Sequence, residues 1–193
     1  MAIDMTDYFQ VIYDECIKYF DNSSEDDPVE MATQIMKIQN FPMHSPHHHF
    51  LVPAVLLTAA ALNTGMEKQV FVDKLLLIQK RAKTVPGAIC GEFGACGAGV
   101  GSGLFAAVWL ETTPHSKELL KDVGAFTANA LSSIASYPGP RCCKRVTYLA
   151  LESGVRDYGK LGIEMNCKDV VCGFFPQNKD CIGKKCRYIP KSG

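Results

Sequence analysis

The sequence predicts a mainly α protein, a compact helical bundle with a glycine-rich lead-in to one helix and an irregular cysteine-rich C-terminal tail docked by metal. Three observations predict it. Apolar residues recur at spacings of three and four through most of the chain. Neither an alternating strand nor an Asn-Gly hairpin signal occurs. Four of the nine cysteines fall at or beyond residue 167, where periodicity is lost and a short segment cannot bury a core alone. A length of 193 residues suits one domain. It divides into N-terminal helices over 1–40, a helical core over 41–160 and a cysteine-rich tail over 161–193.

The elements follow in order. Met5, Tyr8, Phe9, Ile12, Tyr13, Cys16 and Phe20 mark one face of a first helix, which the acidic DNSSEDDP segment ends. Asp27-Pro28 starts a second helix, with a capping carboxylate and a proline in the first turn; Val29, Ala32, Ile35, Met36 and Ile38 follow at helical spacing. Ser45, as N-cap, and Pro46 open an apolar helix over 50–62 that kinks or restarts at Pro53 and ends at Asn63-Thr64-Gly65. An amphipathic helix over 67–83 closes on basic residues, which suit the helix dipole. Further helices are expected over 116–136 and 140–159. The glycine-rich stretch over 86–103 departs from the pattern and reads as a turn leading into a helix.

Twenty basic and twenty acidic residues give no net charge, which argues against nucleic-acid binding through a basic field. The uncharged stretch over 93–110 holds six glycine or serine residues among its eighteen, too polar for the roughly 20 apolar residues of a membrane span. The N-terminus has acidic residues and lacks the basic-then-apolar pattern of a secretory signal. The expected location is the cytoplasm. An odd cysteine count there argues against a disulfide framework and for metal or redox chemistry.

Four features carry that chemistry. Cys167, Cys172, Cys181 and Cys186 are separated by four, eight and four residues, wider than zinc-finger pairs and unlike the common ferredoxin runs. Four thiolates in a loop-rich segment suit a tetrahedral sulfur site all the same. In GPRCCKR, Pro140 is expected in the first turn of a helix, with Cys142 and Cys143 near its positive end. There Arg141, Lys144 and Arg145 add charge that favours thiolate. Adjacent residues on a helix project about 100° apart, so the two thiols do not serve one site equally. The run MHSPHHHF places His44, His48 and His49 at a helix start, whose positive end keeps imidazole neutral, the form that ligates metal or accepts a proton. Cys90 and Cys96 precede the alternating glycines Gly97, Gly99, Gly101 and Gly103, which fail both the dinucleotide fingerprint and the P-loop pattern. Either the glycines allow close helix packing, or bare backbone there admits an inorganic cofactor.

The blocks HHFLVPAVLLTA, PGAICGEFGACGAGVGSGLF, GPRCCKR and the closing C-x8-C-x4-C resemble those of an uncharacterised bacterial and archaeal family, a domain of unknown function, over about residues 43–186. The resemblance implies occurrence in anaerobes and, in some members, fusion to S-adenosylmethionine-dependent methyltransferases. It carries over His44, His48, His49, Cys90, Cys96, Cys142, Cys143, Cys172, Cys181 and Cys186, and leaves out Cys16 and Cys167. The ligand set then becomes Cys172, Cys181 and Cys186 with Cys142 or Cys143.

The expected function is a cytoplasmic cysteine-ligated metalloprotein, iron–sulfur in type, with a redox or sulfur-related role. His44, His48 or His49 serves as base or extra ligand, Arg141 and Lys144 as anion contacts, and Cys90 and Cys96 as further ligands. Expected partners are a small or sulfur-containing substrate, a methyltransferase and a second copy of the chain, with no nucleic acid and no membrane. Two alternatives stay open: a binding module with structural zinc, and a metal-free thiol enzyme.

Overall fold

The computed structural model describes residues 5–22 and 25–191, with side chains from residue 8 onward. The side chain of Met5, Ser23 and Ser24 of the acidic break, and the last two residues of the tail lie outside the described residues. The helices are α1 (Met5–Asn22), α2 (Pro28–Lys37), α3 (His47–Thr64), α4 (Lys68–Ala82), α5 (Ile89–Glu92), α6 (Gly97–Trp109), α7 (Leu119–Ala135) and α8 (Cys143–Asp157), followed by three 3-10 turns. No strand occurs among the described residues, and no helix among them is long and apolar enough to cross a membrane.

Helix α3 is the axis of the bundle. Phe50, Leu51, Val52 and Ala54 to Leu57 are fully buried, as expected of a helix that is apolar all round. Helices α1, α2, α4, α6 and α8 all pack on it. Pro53 neither breaks nor restarts α3, which runs on to Thr64 and stops at left-handed Gly65. Proline leaves the carbonyl of His49, four residues back, without its helical donor. Gly101 of α6 approaches that carbonyl so closely that a Cβ would lie 2.9 Å from it and 2.8 Å from Pro53 Cδ.

That contact explains the glycine run, which is itself helical where the sequence suggests a turn leading into a helix. Gly97 and Gly101 form one i, i+4 row against His49 and Pro53 of α3, and Gly99 and Gly103 form another against Leu131 and Thr127 of α7. Two glycine rows let α6 sit between two helices at once. Two helix starts also differ from expectation. Ser45 lies one residue before the N-cap position, which Pro46 occupies, and α8 begins at Cys143 with Cys142 as N-cap, leaving Pro140 outside the helix.

Cys16 lies fully buried in the α1–α3 interface, and burial pushes its thiol up to about 12. A raised folded-state value means that the stability contributed by the neutral thiol is complete below about pH 9. It is lost as pH rises toward 12, at about 1.4 kcal/mol per pH unit. Cys16→Ala is expected to cost about 1 kcal/mol at pH 7 and to flatten the fall in stability above pH 9, read by urea unfolding at both pH values. An unchanged alkaline slope would remove Cys16 as its cause.

The tail folds back across α2 and α8. Asp27 caps α2 by accepting from Val29 N at 2.8 Å and, with its other oxygen, accepts from Lys168 N at 2.6 Å. Arg187 pairs with Glu152 of α8 at 3.2 Å, and buried Tyr188 packs its ring 5.3 Å from that of Tyr148. These direct contacts hold the tail. The expected docking by metal finds no support among them.

Candidate functional site

Two cavities meet at the N-terminus of α8, and they share out the cysteines. The first is lined by Cys142, Cys172, Cys181 and Cys186, with Lys144, Tyr148, Phe174 and Asn178 among its other walls. It is small, about 20 Å³. Three of its sulfurs accept N–H groups. Cys142 accepts from Arg145 N at 3.5 Å and from Asn178 Nδ2 at 3.3 Å, and Cys181 from Gly183 N at 3.4 Å. Cys172 takes the backbone N–H groups of Phe174 and Phe175. Of the adjacent pair, Cys142 lines this cavity and Cys143 does not.

Lys144 forms one wall although it is only 1% exposed. Its ammonium donates to the Pro42 carbonyl at 3.1 Å and lies 4.5 Å and 4.9 Å from the ring centres of Phe41 and Phe174. Burial is the main cause that lowers its pKa to about 8, and the neighbouring cysteines oppose the shift. Arg145, also buried, donates to the Pro138 and Pro140 carbonyls at 3.0 Å and leaves its Nε without a partner. Among the described residues neither cation enters an ion pair.

The second cavity measures about 780 Å³ and gathers His44, His48, His49, Cys90, Cys96, Arg141 and Cys143. Cys90 and Cys96 are therefore apart from the tail cysteines. His48 is 1% exposed, and its Nδ1 donates to the Ser45 carbonyl at 3.1 Å, which leaves Nε2 as a bare, buried lone pair. Burial, and then the Lys144 charge, hold His48 well below the usual histidine range. His49 is lowered chiefly by burial as well. The rings stay neutral as expected, but desolvation is the main cause. His47 is a core residue packed on Tyr8 and Phe9.

Burial also corrects the expectation of a favoured thiolate at Cys143. It pushes that thiol up, against the lowering effects of the Ser45 backbone and of Arg141. Cys96 and Cys172 are raised for the same first reason. All nine cysteines are free thiols. Among the described residues, no three His, Cys, Asp or Glu side chains close as ligands on one metal ion.

His44 joins the two cavities. Its Nδ1 accepts from Cys143 N at 3.4 Å, so Nε2 carries the proton and donates to Asn178 Oδ1 at 3.2 Å. Asn178 in turn donates to Cys142. This placement commits both ring nitrogens of His44 to hydrogen bonds. Asn178 escaped the sequence reading, which took Arg145 only as added charge beside the two cysteines. Arg145 stands three residues after Cys142, the spacing of an N-cap contact, whereas nothing near Asn178 in sequence points to Cys142. Cys16 and Cys167 line neither cavity.

Among curated proteins and solved structures, none matches the chain. The two cavities are built from residues 43–189, and the profile of a family of unknown function, DUF5714, matches residues 16–189: the chain belongs to that family.

Proposed function

We propose that the chain is a cytoplasmic cysteine-ligated metalloprotein, iron–sulfur in type, with Cys142, Cys172, Cys181 and Cys186 as ligands and a redox or sulfur-related role. The observation that carries this reading is the convergence of four cysteines, three of them accepting N–H groups, beside a buried lysine with no carboxylate partner. N–H groups aimed at sulfur stabilise bound thiolate, and hydrogen bonds to cluster sulfurs tune its potential. Two buried cations without counter-ions are costly, and thiolates held by a metal supply the missing negative charge. The donor set therefore fits a thiolate-bound metal. When bound by all four cysteines, a cluster would supply electron transfer. The chain's own part is to hold the four sulfurs, exclude water with Phe174 and Tyr148, and balance charge with Lys144. Nine unpaired thiols fit a reducing compartment.

One observation favours the second reading, structural zinc: the cavity of about 20 Å³ holds little more than one water-sized sphere. Iron, zinc and acid-labile sulfide per chain, measured on protein purified without oxygen, separate them. About four irons and four sulfides, with a broad band at about 400 nm that bleaches on reduction, are expected. One zinc without sulfide would transfer the site to the structural reading. Neither metal would end both readings and leave the thiols as the chemistry.

A further inference from the structure

We infer that the second cavity is a thiol–disulfide exchange site, at which Cys90 attacks a small disulfide and Cys96 resolves the mixed disulfide that forms. Three of the nine cysteines, Cys90, Cys96 and Cys143, line this one cavity. A thiol kept for packing sits as Cys16 does, fully buried in the hydrophobic core. Cys90 and Cys96 instead keep part of their surface exposed, in the wall of a cavity of about 780 Å³. That volume lies within the range of small-molecule sites. Cys96 is near enough to both Cys90 and Cys143 for a charge on one to be felt at the other. Five residues separate Cys90 from Cys96, and the chain bends between them at Phe93 and at left-handed Gly94.

The two thiols are differently placed, and that sets their order. Cys90 lies on the one-turn α5, in a segment over 86–94 that is exposed apart from partly buried Ile89 and Cys90 itself. An incoming disulfide meets it first. Cys96 is the N-cap of α6, where the N–H groups of Ala98 and Gly99 favour its thiolate against the larger, opposing effect of burial. In the first step the Cys90 thiolate attacks one sulfur, the S–S bond of the small disulfide breaks, and the departing thiolate takes up the proton that Cys90 released. The Cys96 sulfur then attacks that of Cys90, and the second small thiol leaves in the same way with the proton from Cys96. The chain is oxidised by two electrons to a Cys90–Cys96 disulfide, and the small disulfide is reduced to two thiols.

The inference holds whether or not the first cavity carries metal, because its test reads Cys90 and Cys96 peptide by peptide. The full chain, purified without oxygen, is treated with bis(2-hydroxyethyl) disulfide, quenched with acid, blocked at its free thiols and mapped by mass spectrometry. A Cys90–Cys96 disulfide is expected to form about tenfold faster than the mixed disulfide at Cys167, a partly buried thiol outside both cavities. In Cys96→Ser the same treatment should leave one mercaptoethanol stably bound at Cys90. In Cys90→Ser, modification of Cys96 should slow about tenfold. Both variants replace partly exposed thiols, and circular dichroism checks that they fold. The unsubstituted chain decides the matter without them. A mixed disulfide that accumulates there on Cys90, a Cys96–Cys143 bond in place of Cys90–Cys96, or oxidation no faster than at Cys167 would overturn the proposal.

Discussion

Lys144→Met is expected to stabilise the metal-free protein and, in the same variant, to weaken metal retention. The two effects have opposite signs because one cation faces two situations. Without metal, the ammonium is 1% exposed among neutral thiols and aromatic rings, with one carbonyl as its hydrogen-bond acceptor. Methionine fills similar space without the desolvation cost. After loss of the Pro42 bond and the two ring contacts, the net gain is about 2 kcal/mol, or about 4–8 °C in Tm. With thiolates present, the same charge becomes the nearest counter-ion, and its removal should lower metal affinity roughly 10–100-fold, as loss of a supporting contact does. Calorimetry on chelator-treated protein gives the first number, and competition with a chromophoric chelator gives the second. If Tm falls on substitution, Lys144 is a structural cation held by Phe41, Phe174 and Pro42, and the charge argument for the ligand set fails.

The helices with one apolar face were readable because burial of that face decides their position. Val29, Ala32, Ile35 and Met36 of α2 are buried as their spacing demands. Helix α6 was not readable in the same way. Alternating glycines look like a turn until both neighbours are known, and only then do Gly97–Gly101 and Gly99–Gly103 separate into two contact rows. The tail was opaque for a different reason. Its anchor is a backbone N–H at Lys168 bound to Asp27, a residue whose visible job was to cap α2. The cysteines could be singled out by type, but their partition between two cavities depends on where α8 begins. A start at Pro140 rather than at Cys143 would turn both thiols to other faces.

That start decides the second large effect. Cys142 is the N-cap, with extended backbone, and Cys143 is the first residue of the helix, so consecutive thiols are directed into different cavities. Cys142→Ser is expected to abolish stoichiometric metal binding, because the hydroxyl is a poor substitute for a thiolate ligand. The tail is expected to stay docked in this variant, because Asp27, Glu152 and Tyr148 hold it directly, so proteolysis within 164–191 is expected to stay unchanged. Cys143→Ser is expected to retain full metal content and an intact tail, and to change only the alkylation pattern of the second cavity. The comparison is made on the two variants purified side by side without oxygen. Equal metal loss in both would place the adjacent cysteines on one shared centre, against the separation seen here. The His44–Asn178 bridge gives a reason to expect some communication even so. Cys143 N–H, His44, Asn178 and Cys142 Sγ form one hydrogen-bonded chain, so charge at Cys142 polarises the wall of the second cavity. The two cavities are thus joined by hydrogen bonds although no thiol lines both.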